Sequence, residues 1–363
     1  MIGAPLRELF VEAVARMDPE TRVRDALGSL DFGGRSVAAI ALGKAAIAMA
    51  RGAASIATRG LIVAPSSDAS APWPVLVGAH PVPDARSEAA GRALMAFVGS
   101  LPASDALLAL VSGGGSALAA VPRPGLSLSA KIARVRQAVM SGAPIAEINR
   151  VRTSLSAIKG GQLAALSAAP VTTLVCSDVV GDDPRVVGSG PTVAASGGRT
   201  LVIAGISDMA RAAALAAAAR GISAEIIDDH VTGDVTAVAA RISAEIKRPG
   251  PRLLVFAGEP TLALPPAPGN GGRAQHLALL VARALSGVPD VAFLAAGTDG
   301  IDGTGPAAGA IVSGSTWASL VRPAEALAAF DSGTVLSAGG AALVTGATGV
   351  NHADLMLLLR GRA

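Results

Sequence analysis

The chain has 363 residues and a formal net charge of +3; apolar residues make up 51%, yet aromatics are only 2% and tyrosine is absent. A chain of this length ordinarily divides between two cores. The basic residues are scattered, nearly all are arginine, and no Lys/Arg run or basic–aromatic interleaving marks a nucleic-acid surface. The single cysteine, Cys176, excludes an intramolecular disulfide and a cysteine metal cluster, and its apolar setting reads as a buried strand.

The first 20 residues set Arg7, Glu8, Glu12, Arg16, Asp18 and Glu20 among apolar residues at helical spacing, which predicts an amphipathic helix rather than a signal peptide. Mean hydropathy is high at +0.53, but apolar stretches such as 106–122 are broken by Gly113-Gly114-Gly115. A spanning helix needs about 20 apolar residues without such a break. A soluble, cytoplasmic protein is expected, with neither membrane nor nucleic acid as partner.

Strands are predicted at Ser36–Leu42, Gly60–Ala64, Ala106–Val111, Val171–Cys176, Thr200–Ala204, Arg252–Ala257, Val291–Ala295 and Thr334–Ser337. Helices are predicted between them at Ala45–Ser55, Ser87–Ser100, Ser129–Met140 and Ala210–Arg220, with a further one at Gln275–Leu285. Apolar strands separated by helices predict an α/β fold of mainly parallel sheets covered on both faces. The Pro/Gly punctuation at Lys247–Pro251 sets the expected boundary, giving domains 1–248 and 249–363. Ligands of open α/β sheets sit beyond the carboxyl ends of strands, so the glycine-rich segments that follow strands are the candidate sites.

Gly43-Lys44-Ala45 follows the first predicted strand and puts one of only four lysines at a strand-to-helix turn, where an anion is favoured. It is not a Walker A loop, because the earlier glycine and the Ser/Thr are missing. Ser112-Gly113-Gly114-Gly115-Ser116 follows a strong strand and offers backbone N–H groups and hydroxyls to a phosphate or carboxylate. Asp178, after the Val171–Cys176 strand, suits a Mg²⁺ ion or a hydroxyl proton, or else closes its own turn; Asp182 and Asp183 stay open. Glu259 and the run Asn270-Gly271-Gly272-Arg273 form one unit, with Arg273 at a helix start where a guanidinium can grip an anion. Asp299 and Asp302 lie in a glycine-rich loop suited to a cation or hydroxyl, and the four histidines lack zinc-ligand spacing.

Together these segments resemble the glycerate 2-kinase family, relatives of which also carry hydroxypyruvate reductase labels and whose C-terminal part is called the MOFRL domain. The matching stretches span nearly the whole chain: Ala41–Ala45, Gly78–Asp84, Ser112–Leu118, Asn149–Arg152, Leu155–Gly161, Ser177–Asp182, Ser189–Thr192, Gly271–Arg273, Gly297–Gly303 and Thr348-Gly349. The resemblance implies a Rossmann-like doubly wound N-terminal domain, a smaller C-terminal α/β domain and an active site in the cleft between them. It implies ATP- and Mg²⁺-dependent phosphorylation of D-glycerate to 2-phosphoglycerate, with Lys44 and Arg273 as catalytic residues. Substrate or nucleotide contacts are then expected from Ser112, Gly113, Gly114, Gly115, Ser116, Asn149, Asp178, Glu259, Asn270, Gly271, Gly272 and Asp299, and Mg²⁺ ligation from Asp178 and Asp299. The pattern departs at Pro306, where a carboxylate is lost, at Ala274 and His276, and at Thr153-Ser154 in place of a Lys-His pair. A kinase of another small hydroxy or sugar acid, a non-catalytic acid-binding relative, and a homodimer stay open. A reductase is disfavoured, because no strand–G-x-G-x-x-G–helix unit exists.

Overall fold

Residues 37–42 carry no polar side chain, so both faces of the strand they form must be covered. The computed structural model, which describes residues 3–142, 145–193, 198–250 and 252–361, buries all six. Helices α1 (Ala4–Ala15) and α2 (Pro19–Leu27) precede this strand, β1 (Val37–Leu42). Then come α3 (Ala46–Ala53), β2 (Ala57–Ala64), β3 (Val75–Val77), α4 (Ala85–Gly99), β4 (Ala106–Ser112) and a short α5 (Gly115–Leu118). The helices α6 (Leu128–Met140) and α7 (Ile145–Ser154) lead to β5 (Val171–Cys176) and β6 (Arg199–Ala204). Next are α8 (Ile206–Ala218), β7 (Ala224–Val231), α9 (Val235–Ala244), β8 (Leu253–Gly258), α10 (Arg273–Leu285), β9 (Val291–Gly297) and β10 (Gly309–Ser313). The last elements are α11 (Thr316–Ser319), α12 (Pro323–Ala328), α13 (Ser332–Ala338), β11 (Ala342–Leu343) and β12 (Asp354–Arg360).

Two units emerge, one of residues 19–205 and one of residues 1–18 with 206–363. In the first, six strands pair in the order β3-β2-β1-β4-β5-β6 and every pair is parallel. That is the doubly wound order of the dinucleotide-binding fold, and the chain reverses direction across the sheet between β1 and β4. The helix α3 packs on β1, β2 and β4, and α4 on β2 and β3. The start of α4 is fixed by a reciprocal cap: Asp84 accepts from the N–H groups of Arg86 and Ser87, while the Ser87 hydroxyl accepts from the Asp84 N–H.

The second unit departs from the mainly parallel expectation. Its sheet runs β11-β10-β9-β12-β8-β7, and the C-terminal strand β12 lies between β8 and β9, antiparallel to both. Only β7 and β8 pair in parallel. The run Leu355–Leu359 is buried throughout, since a central strand must shed water from both faces. The helix α10 buries nine residues and packs on β9, β10, α9 and α13. Residues 334–337, expected as a strand, are helical within α13. The four-residue window is half polar, the Asp331 carboxylate accepts from the Thr334 hydroxyl at 2.7 Å in the first turn, and Gly339-Gly340 stop the helix.

The boundary expected after residue 248 falls inside this second sheet, because β7 and β8 flank it and pair; Pro251 of that punctuation lies outside the described residues. The N-terminal segment expected as one helix is two, parted before Pro19. Of these, α1 packs on α8, β9 and β12, and α2 on α3 and β6. Among the described residues, no helix is long and apolar enough to cross a membrane.

Phe293 is fully buried in the core formed by α10, β8, β9 and β12. Phe293→Ala is expected to cost about 3–5 kcal/mol, read as a lower urea midpoint; an unchanged midpoint would place the stability of this unit elsewhere.

Candidate active site

The loops that follow β1, β4 and β5 interlock in the first unit. A Cβ on Gly43 would lie 2.1 Å from Ser112 Oγ and 2.5 Å from its carbonyl oxygen, and Gly43 has φ +134°; only glycine serves there. The Lys44 N–H donates to the Gly113 carbonyl at 2.9 Å, and the Ala45 N–H donates to Ser112 Oγ at 3.1 Å. A Cβ on Gly113 would sit 1.9 Å from an Asp178 carboxylate oxygen. Gly114 takes φ +80°, and a Cβ there would be 3.1 Å from Lys44 Cγ and 3.2 Å from His80 Cδ2.

The structure therefore gathers Lys44, Gly113, Gly114 and Asp178, all expected from sequence, and adds His80. The glycines let three loops approach one another, so their first duty is packing. What remains for a ligand is the Lys44 ammonium, which is exposed and has no hydrogen bond or ion pair among the described residues, and the N–H groups of Gly113 and Gly114, which find no acceptor among them. Ser112 is 3% exposed, with its hydroxyl committed to Ala45. Burial and then the charge of Lys44 hold His80 below the ordinary imidazole range, which leaves a neutral ring nitrogen beside a cation at neutral pH.

Ser116 and Asn149 lie in the same unit but face other partners. Ser116 meets Lys159 and Ser189, and the Asn149 amide oxygen accepts from Arg152 at 3.2 Å.

In the second unit, Arg273 begins α10 as expected, but it is not free. Its Nε and Nη2 donate to the two oxygens of Asp354 at 2.7 and 3.1 Å, and Nη1 donates to Glu259 at 2.6 Å. Burial opposes its charge, yet the hydrogen bonds and field of Asp354, with Glu259, outweigh this and raise its pKa. Burial pushes the Asp354 carboxyl up, aided by Glu259 and Asp299, while Arg273 pulls the other way. One guanidinium faces two carboxylates, and two of its five N–H groups remain. Asp299 spends one oxygen on the Ile301 N–H at 3.0 Å and lies near Asp354 around Gly297.

Gly271 and Gly272 let this loop press on α13 and on Asp302: a Cβ on Gly271 would meet the Gly333 nitrogen at 2.7 Å, and one on Gly272 would meet Asp302 Oδ1 at 2.2 Å. Asn270 is pinned by Asp331 and Thr334. Asp302 is 4% exposed and accepts from the N–H groups of Ala274 and Gln275 at 3.0 and 2.7 Å, capping α10 and setting the direction of Arg273. His276 is neither on the surface nor facing a ligand: it is 7% exposed, stacks on Phe330 at 5.1 Å and shares a 3.1 Å hydrogen bond with Ser332. Among the described residues, no group of three His, Cys, Asp or Glu is placed to hold a metal ion.

Sequence reasoning missed Asp354, His80 and the capping role of Asp302. Each depends on a partner distant in the chain, and the one local signal was a lone carboxylate opening the apolar run 354–360.

Comparison with known proteins extends this picture. Residues 5–222 match the family described as domain of unknown function (DUF4147), and residues 252–354 match the MOFRL family. The D-glycerate 2-kinase of Thermotoga maritima is 33% identical over 96% of this chain and 96% of its own. A protein of Agrobacterium vitis provisionally named a hydroxypyruvate reductase is 34% identical over 98% of this chain and 94% of its own. The crystal structure of glycerate kinase from Thermotoga maritima matches with a TM-score of 0.92 at 31% identity, covering 99% of both chains.

Asp302→Ala leaves two N–H groups at the start of α10 without an acceptor and is expected to cost about 1–3 kcal/mol in urea unfolding. Burial raises the Asp302 carboxyl from 3.8 to about 6, against the two backbone bonds. The folded value exceeds the unfolded one, so the contribution of this group is fully present below 3.8 and is lost as pH rises through about 6. The stability difference between the native protein and Asp302→Asn should shift across that window; a flat difference would show that the carboxyl does not titrate there.

Proposed function

Because the chain belongs to the glycerate kinase family, we propose that it transfers the γ-phosphoryl group of ATP to a hydroxyl of D-glycerate, giving 2-phosphoglycerate, with magnesium. The observation that carries this reading is the exposed Lys44 ammonium, with no ion pair among the described residues, beside Gly113 and Gly114, whose N–H groups have no acceptor among them, at the reversal of strand order where α/β sheets bind ligands. Phosphoryl transfer asks a protein chiefly for positive charge and fixed donors around the moving group. Lys44 supplies the first, and the Gly113–Gly114 backbone the second.

In the first unit the carboxylate offered to magnesium is Asp178, packed against Gly113; in the second, considered by itself, Asp299 keeps one oxygen free of its turn. Magnesium commonly takes one or two protein carboxylates beside substrate phosphates, so the lack of a three-residue cluster is compatible with this set. When bound, the metal would neutralise phosphate charge. His80, whose pKa is lowered by burial and by Lys44, flanks Gly114 together with Lys44 and is the base offered for the hydroxyl proton.

Arg273 is the second cation of this reading. Its environment is net negative, so although two N–H groups remain, its pull on a phosphoryl group would grow when Glu259 releases it. That ion pair is half-exposed and worth roughly 0–1 kcal/mol. Asp354 would stay bound and aim the guanidinium. A three-carbon acid, soluble ATP and no macromolecular partner complete the proposal, for a cytoplasmic enzyme.

A reductase reading is favoured by one observation, the dinucleotide-type strand order, but the turn after β1 reads Gly43-Lys44-Ala45 and lacks the glycine fingerprint. Incubation with ATP, magnesium and D-glycerate, coupled directly to enolase, should give a signal. NADH oxidation by hydroxypyruvate without kinase signal would overturn the proposal. ADP release with other short hydroxy acids but not glycerate would keep the kinase and change its acceptor.

Lys44→Ala is expected to lower turnover by about 10²–10³-fold with the fold intact. If Lys44 and Arg273 serve one transition state, the double Ala variant should lose much less than the product of the two single losses. Multiplicative losses would separate their roles.

A further inference from the structure

Beyond Gly114, at Ser116, three cations gather with no ion pair among the described residues. Lys159 is 3% exposed. Its ammonium donates to the Ser116 carbonyl at 2.9 Å and to Ser116 Oγ, and Ser189 donates to that same hydroxyl at 3.2 Å. Lys131, 4% exposed, donates to the Val121 carbonyl at 3.2 Å. Arg152 is half-buried and donates to the Asn149 side chain at 3.2 Å. The charges of Lys131 and Arg152 both bear on Lys159, and the one carboxylate felt there is Glu88, at a distance from Lys131 and already paired with Arg92.

Among the described residues none of the three cations forms an ion pair, whereas Arg51, Arg92, Arg220 and Arg273 each do. Buried cations without counter-charge are relieved either by losing a proton or by gaining an anion. In the structure as it stands, burial lowers Lys131 to about 8 and pushes Lys159 well below its ordinary range, the two neighbouring charges adding to the second shift.

We propose that Lys159, Arg152 and the hydroxyls of Ser116 and Ser189 form the subsite for the carboxylate of the acceptor acid, with Lys131 contributing charge at longer range. The identity of that carboxylate rests on the kinase reading above; the presence of a carboxylate site does not. The position selects a short acid. Gly114, beside Lys44, and Ser116, bonded to Lys159, are two residues apart, at most about 7 Å of chain. One short turn therefore carries both anchors, the Lys44 stem packing at Gly114 and Lys159 bonding at Ser116, and that favours a small hydroxy acid over a long one. A nucleotide phosphate has its donors on the Lys44 side of the turn.

Steady-state kinetics on the full chain test this with Lys159→Met and with Arg152→Gln, the second being half-exposed and so carrying the test if the first fails to fold. Each variant should raise KM for D-glycerate about tenfold or more, as loss of a charge-assisted bond does, while KM for ATP stays put. A rise in KM for ATP with KM for glycerate unchanged would overturn the proposal in favour of a phosphate site. Calorimetric titration of D-glycerate into the native chain and both variants needs no turnover. Binding lost in the variants supports the subsite even if no phosphorylation is found, in which case only the kinase reading fails. No binding to the native chain, or equal binding by all three, sinks the subsite.

Discussion

The first unit depends on a close approach that excludes even a methyl group. At Gly43 and Gly113 the loops that leave β1, β4 and β5 come so near that a Cβ would overlap Ser112 or Asp178. From this one constraint follow the others. The Lys44 N–H can bond to Gly113 and the Ala45 N–H to Ser112, which fixes the first turn after β1 and holds Lys44 outward. Asp178 is held against the same backbone rather than in solvent. The glycine run thus gives a packed junction in which the Gly113 and Gly114 N–H groups find no acceptor among the described residues, and any ligand role is built on that junction.

Charge is distributed unequally over the candidate residues. Arg273 is surrounded by more negative charge than it carries, Asp354 being buried and bidentate and Glu259 half-exposed and detachable. Lys44, Lys159 and Lys131 have no such partner among the described residues. The lysines of the first unit thus keep uncompensated charge among the described residues, whereas the Arg273 charge is more than balanced within its own unit. A bidentate buried carboxylate is well suited to keep a guanidinium aimed while its other face changes partner.

The sequence made much of this legible, and the failures have physical causes. Seven of the eight predicted strands exist, because runs such as Val37–Leu42 and Ala106–Ser112 are too apolar to be anything but buried and too short to be helices. Residues 334–337, Thr-Val-Leu-Ser, are half polar and few, and they belong instead to a helix whose first turn ties the Thr334 hydroxyl to Asp331 and which stops at Gly339. The antiparallel insertion of β12 was invisible, since Leu355–Leu359 looks alike in either direction and pairing is set by the rest of the sheet. At the site, Lys44 and Arg273 were marked by neighbouring glycines. Their charge environments were not, because Asp354 lies 81 residues from Arg273 and reaches it only in the fold.

Covalent order imposes a last asymmetry. Residues 19–205 are continuous and their sheet needs nothing from the rest of the chain, whereas the other unit is made from both ends. There α1 covers α8, β9 and β12, and Arg220 ties α8 to Glu12 and Glu8. β12 is the central strand of that sheet, hydrogen-bonded on both edges, and it is also the last element of the chain. Until it arrives, β8 and β9 each lack a neighbour and expose apolar edges. Closing so long a loop before the pairing is gained favours early folding of the continuous unit. The second unit, with the geometry that Arg273 and Asp354 share, needs β12 in place, since Asp354 is the first residue of that strand.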